Sequence, residues 1–273
     1  MRSATQPVCL SIAGLDPSGG AGIIADVKTF RAFGCFATAA VTSLTFQNTV
    51  GVFGAVHQTA ESVRGQVQPV VDDFQISALK TGMLPTREVI EETARLIAEN
   101  GLRNIVVDPV VRSTSGFDLI DEKSLRSLIE ILFPLSDLVT PNIPEAERIV
   151  KMAITDSADI ERAARSMQSM GARNVLIKGG HLADVKSEKV KGKGQNLVAR
   201  DFLFVGSSIT VYDADYIDTT ATHGTGCTLA AAITANIALG KSLAESVGIA
   251  KDFVTEAIRN APNIGNGHSP IMI

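Results

Sequence analysis

The run Thr222-His223-Gly224-Thr225-Gly226-Cys227 leads directly into an apolar stretch from Leu229 to Leu239, and together they meet the needs of anion chemistry. Glycines at the mouth of a helix leave its first N–H groups unpaired, and the helix dipole favours negative charge at that end. Gly224, Thr225 and Gly226 form the cradle in this reading, with Cys227 at its rim as the proton acceptor. A thiol in that field is expected to have a lowered pKa, within the range of about 3.5 to 7.5 known for such placements. A phosphate cradle with a built-in base points to phosphoryl transfer. The alternative is a plainly capped buried helix in which Cys227 packs as a small apolar residue.

Other polar residues gather just after apolar runs. The segment Gly14-Leu15-Asp16-Pro17-Ser18-Gly19-Gly20-Ala21-Gly22 follows Val8 to Ala13 and enters a helix carrying Asp26 about two turns in, while Gln47 follows the run Ala39 to Phe46. A carboxylate and a primary amide can pair with the donor and acceptor edge of a nitrogen heterocycle. Asp108 closes Ile105 to Val107, and Asn142 and Glu145 follow the run ending at Thr140. Acidic and amide oxygens at neighbouring strand ends commonly hold Mg²⁺ with several waters beside phosphates. Lys178, before Gly179-Gly180-His181, carries a charge suited to a phosphate. Taken singly, each of these residues also reads as a turn former or a solvated group, and His181 and His223 fit structural roles as well as catalytic ones.

These positions need a scaffold, and the spacing provides one. Short β-rich runs (Val8 to Ala13, Ile76 to Lys80, Asn104 to Asp108, Asp137 to Thr140, Asn174 to Lys178) alternate with helix-like stretches. Ile105-Val106-Val107 and Val175-Leu176-Ile177 are apolar at successive positions, as strands covered on both faces must be. The expected fold is α/β, a mostly parallel central sheet with helices on both faces, in one domain spanning 1–273. Pro144 stands where a first helical residue is expected, and Ser242-Leu243-Ala244-Glu245 has the form of a capping box before a last helix of about Ser242 to Asn260. Between Asp184 and Tyr212 the rhythm changes: Lys186, Lys189, Lys191 and Lys193 precede the alternating pair Phe202 to Val205 and Ile209 to Tyr212. This predicts a hairpin insertion over about 184–212 whose charged tip is either a lid over nucleotide or a solvated loop.

Composition excludes several classes. With 45% hydrophobic and 20% charged residues, the 273-residue chain is that of a protein with a large core. A net charge of -4 argues against a nucleic-acid surface. No run reaches the roughly 20 apolar residues of a membrane span, and the first residues lack the layout of a signal peptide. Cys9, Cys35 and Cys227 have no metal-type spacing and read as reduced thiols, which makes the cytoplasm the expected compartment.

Taken together and in this order, Ala13 to Gly22, Gln47-Asn48-Thr49, Lys80-Thr81-Gly82-Met83-Leu84, Asp108-Pro109-Val110, Thr140-Pro141-Asn142-Ile143-Pro144-Glu145, Lys178-Gly179-Gly180-His181 and His223 to Cys227 resemble the hydroxymethylpyrimidine and phosphomethylpyrimidine kinases of thiamine biosynthesis, within the ribokinase-like fold. The resemblance spans nearly the whole chain. It implies ATP-dependent phosphorylation of 4-amino-5-hydroxymethyl-2-methylpyrimidine and then of its monophosphate. It implies that Gly14, Asp26 and Gln47 hold the pyrimidine with Met83 and Val110 lining the pocket, and that Asp108, Asn142 and Glu145 organise Mg²⁺ and its waters. Lys178 would meet ATP phosphates, Gly224 to Cys227 would form the anion hole, and the protein would be a homodimer. Where many ribokinase-like enzymes place an aspartate as base, this family has the cysteine found here, which separates the chain from sugar and adenosine kinases. A pyridoxal or pyridoxine kinase of the same fold is the nearest rival, and a catalytically silent binding protein a second. The stretch Lys186 to Gly194 is longer than the family pattern, and Thr220-Ala221 replace a basic and an amide residue frequent there.

Overall fold

The structure, a computed structural model, describes residues 6–112, 116, 118–179 and 198–273. In chain order its elements are β1 (Val8–Leu15), α1 (Gly22–Ala32), β2 (Phe36–Gln47), β3 (Val52–His57), α2 (Ala60–Asp73), β4 (Ile76–Thr81), α3 (Arg87–Glu99), β5 (Ile105–Val107), α4 (Glu122–Ser127), β6 (Leu138–Val139), α5 (Ile143–Val150), α6 (Ser157–Ser169), β7 (Asn174–Lys178), β8 (Val198–Val205), β9 (Ser208–Asp215), α7 (Thr225–Ala238) and α8 (Leu243–Arg259). The strands form one sheet in the order β3-β2-β1-β4-β5-β6-β7-β8-β9. From β2 to β7 neighbours run parallel, and β3, β8 and β9 are antiparallel edges.

Successive apolar residues in the inner strands divide between two cores, which explains the unbroken runs in the sequence. Leu10, Ile12, Ile105, Val107, Val175 and Ile177 join the side covered by α2 to α6. Their neighbours Val106 and Leu176 face α7 and α8, and Cys9 packs with Phe30 of α1 and with Ala231 and Ala235 of α7. Helix α7 is apolar on every side, and each residue from Thr228 to Asn236 is buried. Its alanines let it lie close against β4, β5 and β1 between α1 and α8.

Local chemistry sets the helix starts. Thr59 and Thr86 cap α2 and α3 through their hydroxyls, and α8 opens on the Ser242–Glu245 capping box expected from the sequence. A second capping box, Asn142 with Glu145, opens α5, and Pro144 is its second residue, because Ile143 comes first. The expected hairpin forms as β8 and β9, paired from Val198↔Asp215 to Val205↔Ser208, and it continues the main sheet from β7. His181 and Lys186 to Gly194 lie outside the described residues.

The chain passes from β1 to β2 on one side and returns to β4 on the other. The carboxyl ends of β1 and β4 therefore flank a topological switch point, the place where open α/β sheets leave a crevice.

Candidate active site

A cleft of about 1280 Å³ opens along this edge. Single small-ligand pockets run to about 1,000 Å³, so the volume suits a nucleotide with a small acceptor beside it. On its walls lie Gly14, Gln47, Met83, Val110, Asp108, Asn142, Glu145, Lys178 and the loop Gly224 to Cys227. Residues from seven separate segments are thus brought to one place, six of them by the strand ends that carry them and the seventh by the start of α7.

The anion loop is held by close backbone packing. Gly224 caps α7 in the left-handed region, φ 88°, and a Cβ there would collide with the Gly20 carbonyl. The first turn of α7 carries no acidic residue and no side-chain cap; the Thr225 N–H turns back to the Thr222 carbonyl at 3.3 Å, which leaves the N–H groups of Gly226 and Cys227 for a ligand in the cleft. Cys227 departs from its expected thiol chemistry. Burial pushes its pKa up to about 11, with Asp26 and Asp108 adding to the rise. Lys80 and a hydrogen bond from the Gly22 backbone oppose it without prevailing. Desolvation is the dominant influence here, so the resting group is a thiol.

Asp26 also differs from expectation. It sits one turn into α1, is fully buried, and lines no wall of the cleft. Lys80 Nζ donates to both of its oxygens at 3.0 and 2.9 Å, and Ser11 Oγ donates to Oδ2 at 2.6 Å. Its carboxylate is therefore engaged by a lysine 54 positions away and by Ser11. Lys80, itself without accessible surface, is the member of the pair that borders the cleft. Burial works against its charge, but Asp26 and the nearby Cys227 and Asp108 raise its pKa and hold it protonated.

A second charged corner is built from β5, β6, β7 and α5. Lys178 Nζ lies 3.0 Å from Asp108 Oδ1 and 3.9 Å from Glu145 Oε2, and Thr140 Oγ1 donates to the same Asp108 oxygen at 3.0 Å. Glu145 Oε2 accepts from the Asn142 N–H and Asn142 Oδ1 from the Glu145 N–H, both at 2.8 Å. The capping box thus serves the helix and the site at once. Burial pushes Glu145 up to about 7, Asp108 adds to the rise, and Lys178 opposes it. Among the described residues no cluster of three or more His, Cys, Asp or Glu side chains forms a cage for a metal ion. Two carboxylates with free valences beside a lysine suit instead a hydrated divalent cation shared with phosphates.

Sequence reasoning passed over a third group. Asp16 accepts from Ser18 N–H and Oγ–H and from Ala21 N–H, and His223 Nε2 lies 2.7 Å from its Oδ2. This pair ties the β1 loop to the anion loop. The Asp16-Pro17-Ser18 spelling is that of an Asx turn and was the available signal. Lys251 of α8 and Asp201 of β8 pair at 2.7 Å, and Asp201 Oδ1 also accepts the Gly179 N–H, which fixes the residue next to Lys178. Nothing local in the sequence announces that contact.

A parallel sheet with an anion loop opening a buried helix at its switch point, and a lysine–carboxylate corner beside it, defines the class of ribokinase-like small-molecule kinases. Comparison with known proteins narrows this. The phosphomethylpyrimidine kinase family profile matches residues 16–272. A hydroxymethylpyrimidine/phosphomethylpyrimidine kinase from Bacillus subtilis is 43% identical over 261 residues, covering 96% of this chain and 92% of its own. Among solved structures, phosphomethylpyrimidine kinase from Clostridium difficile is 37% identical with a TM-score of 0.78, covering 93% of this chain and 100% of its own. An ADP complex of Bacillus subtilis pyridoxal kinase is 33% identical with a TM-score of 0.85, covering 98% and 97%. The chain belongs to the phosphomethylpyrimidine kinase family.

Two outcomes follow from the buried charges. Lys80→Met or Asp26→Asn alone should cost about 3–5 kcal/mol in urea denaturation, because each leaves a stranded buried partner, and Lys80→Met with Asp26→Leu should cost less than the sum. Single variants as stable as the parent would disprove the pair. The Cys227 thiol, with a pKa of about 11, should be alkylated slowly at neutral pH and about tenfold faster per pH unit on raising pH, as its thiolate fraction grows. A rate that levels off near neutrality would contradict this.

Proposed function

We propose that the protein transfers the γ-phosphoryl group of ATP to the hydroxymethyl oxygen of 4-amino-5-hydroxymethyl-2-methylpyrimidine, then a second phosphoryl group to the monophosphate, in thiamine biosynthesis. The observation that carries this is the meeting, in one cleft, of the loop Gly224 to Cys227 with the pocket of Gly14, Gln47, Met83 and Val110. A Cβ on Gly14 would come within 3.1 Å of Met83 Sδ, so the two pack closely on one wall of the cleft and a larger residue at position 14 would displace Met83. Thr45 Oγ1 lies 3.0 Å from Gln47 Oε1 and orients an amide able to meet an amino group and a ring nitrogen.

In this reading the resting Cys227 thiol first gives up its proton to solvent, and the thiolate so formed accepts the proton of the attacking hydroxyl. A loose phosphoryl-transfer transition state forms little bond to the nucleophile early on, so the base is needed late and placement matters more than a matched pKa. The N–H groups opening α7 receive the charge that spreads over the transferring phosphoryl oxygens. Lys178 neutralises charge on the nucleotide phosphates, and its contacts with Asp108 and Glu145 keep it aimed. Asp108 and Glu145, with Asn142 beside them, would hold Mg²⁺ through its waters, which supplies charge neutralisation between phosphates. The ADP bound to the pyridoxal kinase of the same fold supports adenine nucleotide as donor.

We also place the protein in solution as a homodimer formed through the β2–β3 hairpin. Leu44, Phe46 and Val56 are 41, 55 and 50% exposed, and Val56 stands directly across from Leu44. The Phe46 ring lies over Gly54, which gives a continuous apolar patch at one edge of the sheet, suited to a second copy of itself. No helix among the described residues is long and apolar enough to cross a membrane. The three free cysteines fit a reducing compartment, the cytoplasm.

The first test is turnover of the hydroxymethylpyrimidine with ATP and Mg²⁺, resolving mono- and diphosphate, with pyridoxine in parallel. Diphosphate from the pyrimidine is expected; a preference for pyridoxine would move the chain to the vitamin B6 activity of its structural neighbour. Cys227→Ala should lose about 10²–10⁴-fold in kcat with pyrimidine binding retained, and unchanged turnover would remove Cys227 as base. For assembly, light scattering should give twice the chain mass, and Phe46→Asp should give a monomer; a monomeric parent protein would refute the dimer.

A further inference from the structure

The turn between β2 and β3 is bound to a segment far away in the chain. Thr49 Oγ1 accepts from the N–H groups of Asn266 and Gly267 at 3.2 and 3.3 Å, and the Thr49 carbonyl accepts the His268 N–H at 2.8 Å. The fit is close: a Cβ on Gly265 or Gly267 would strike Thr49 itself, and Gly265 has φ +81°. Neither glycine can be enlarged without pushing the segment off the turn.

The same segment then grips the anion loop. The His223 N–H donates to the Ser269 carbonyl at 3.2 Å, and the Ile271 N–H donates to the His223 carbonyl at 3.4 Å, so the residue preceding Gly224 is held from both sides of its backbone. His268 Nδ1 lies 3.2 Å from the Thr220 carbonyl, and Ser269 and Ile271 are buried. Pro270 closes against Gly20, whose Cβ would approach Pro270 Cβ to 2.9 Å. At its far end, the Met272 N–H reaches the Ala257 carbonyl of α8 at 3.0 Å. Residues 265–272 therefore form a strap with one end on the tip of the β2–β3 flap and its middle on the anion loop.

The two things it joins have to stay in register. The flap carries Thr45 and Gln47 into the acceptor pocket, with Gln47 two residues before Thr49. The anion loop carries Cys227. In-line transfer requires the acceptor oxygen to sit correctly against both the base and the phosphoryl group, and a misplacement of about 1 Å can cost about 10²-fold. We propose that Thr49 is a positioning residue for phosphoryl transfer, fixing the acceptor-bearing flap against the anion loop through the 265–272 strap. This rests on the reading above that Gln47 holds the acceptor and Gly224 to Cys227 receives the phosphoryl group.

Thr49→Val keeps the shape and removes the acceptor, Thr49→Ser keeps the acceptor, and Gly267→Ala wedges the strap from the other side. Steady-state kinetics on folded proteins, verified by a cooperative melt, should show kcat for the pyrimidine down about tenfold and its KM raised severalfold in Thr49→Val and Gly267→Ala, with KM for ATP within about twofold of the parent. Thr49→Ser should stand near the parent. The proposal is overturned if both disruptive variants keep kcat and pyrimidine KM, if ATP and pyrimidine KM rise together, or if serine fails to rescue. Gln47→Leu, measured alongside, separates the two readings. If it raises pyrimidine KM while Thr49→Val changes nothing, the acceptor pocket stands and the strap's role falls; if Gln47→Leu raises both KM values equally, the pocket assignment fails and the strap proposal with it.

Discussion

Helix α7 is buried from Thr228 to Asn236, and its position constrains the rest of the molecule. A helix with no solvated face cannot tilt or slide without opening a void against α1, α8 or the sheet, and such voids are costly in a close-packed interior. Its first turn is consequently delivered to a fixed spot above the switch point of the sheet. The glycines around it follow from that closeness: Gly224 must be glycine because Gly20 presses its carbonyl against it. Unpaired N–H groups at such an end cost free energy in the empty protein, and an anion offsets the cost.

Lys80 and Lys178, two of the lysines lining the cleft, are each matched to carboxylates. Lys80 is compensated from below by Asp26, and Lys178 from the side by Asp108 and Glu145. This keeps the cations oriented before phosphate arrives, which lowers the reorganisation needed at the moment of reaction. Cys227 is kept from being acidic chiefly by burial. Asp26 and Asp108 add to the rise and offset part of the opposing pull of Lys80 on the thiol.

Much of this was legible in the residues. Unbroken apolar runs require strands covered on both faces, and the residues after those runs do converge, because parallel strands all end on one edge. What could not be read locally depends on partners distant in sequence. Asp26 looks like a ligand-facing acid on a helix; only the arrival of Lys80 from β4 shows that it faces inward. The thiol of Cys227 was judged by the helix dipole alone, and burial, which is a property of the whole fold, reversed the sign. The spacing of Asn142 and Glu145 as cap and third helical residue is visible in the sequence beside their suitability as site oxygens, and the structure forms that capping box. The grip of residues 265–272 on Thr49 and His223 runs through backbone atoms, which leave no trace in side-chain spelling.

Along β2, Thr45 and Gln47 alternate with Leu44 and Phe46, so the pocket wall and the exposed apolar patch are opposite sides of one ribbon. A strand has no thickness in which to absorb a displacement: a shift that seats Phe46 against a neighbour is passed whole to Gln47. In the homodimer proposed above, a partner covering Phe46 and an acceptor held by Gln47 would meet the two sides of the same strand. Any effect of association on the grip on the acceptor would then be returned as an equal effect of the acceptor on association, and apparent affinity would depend on protein concentration.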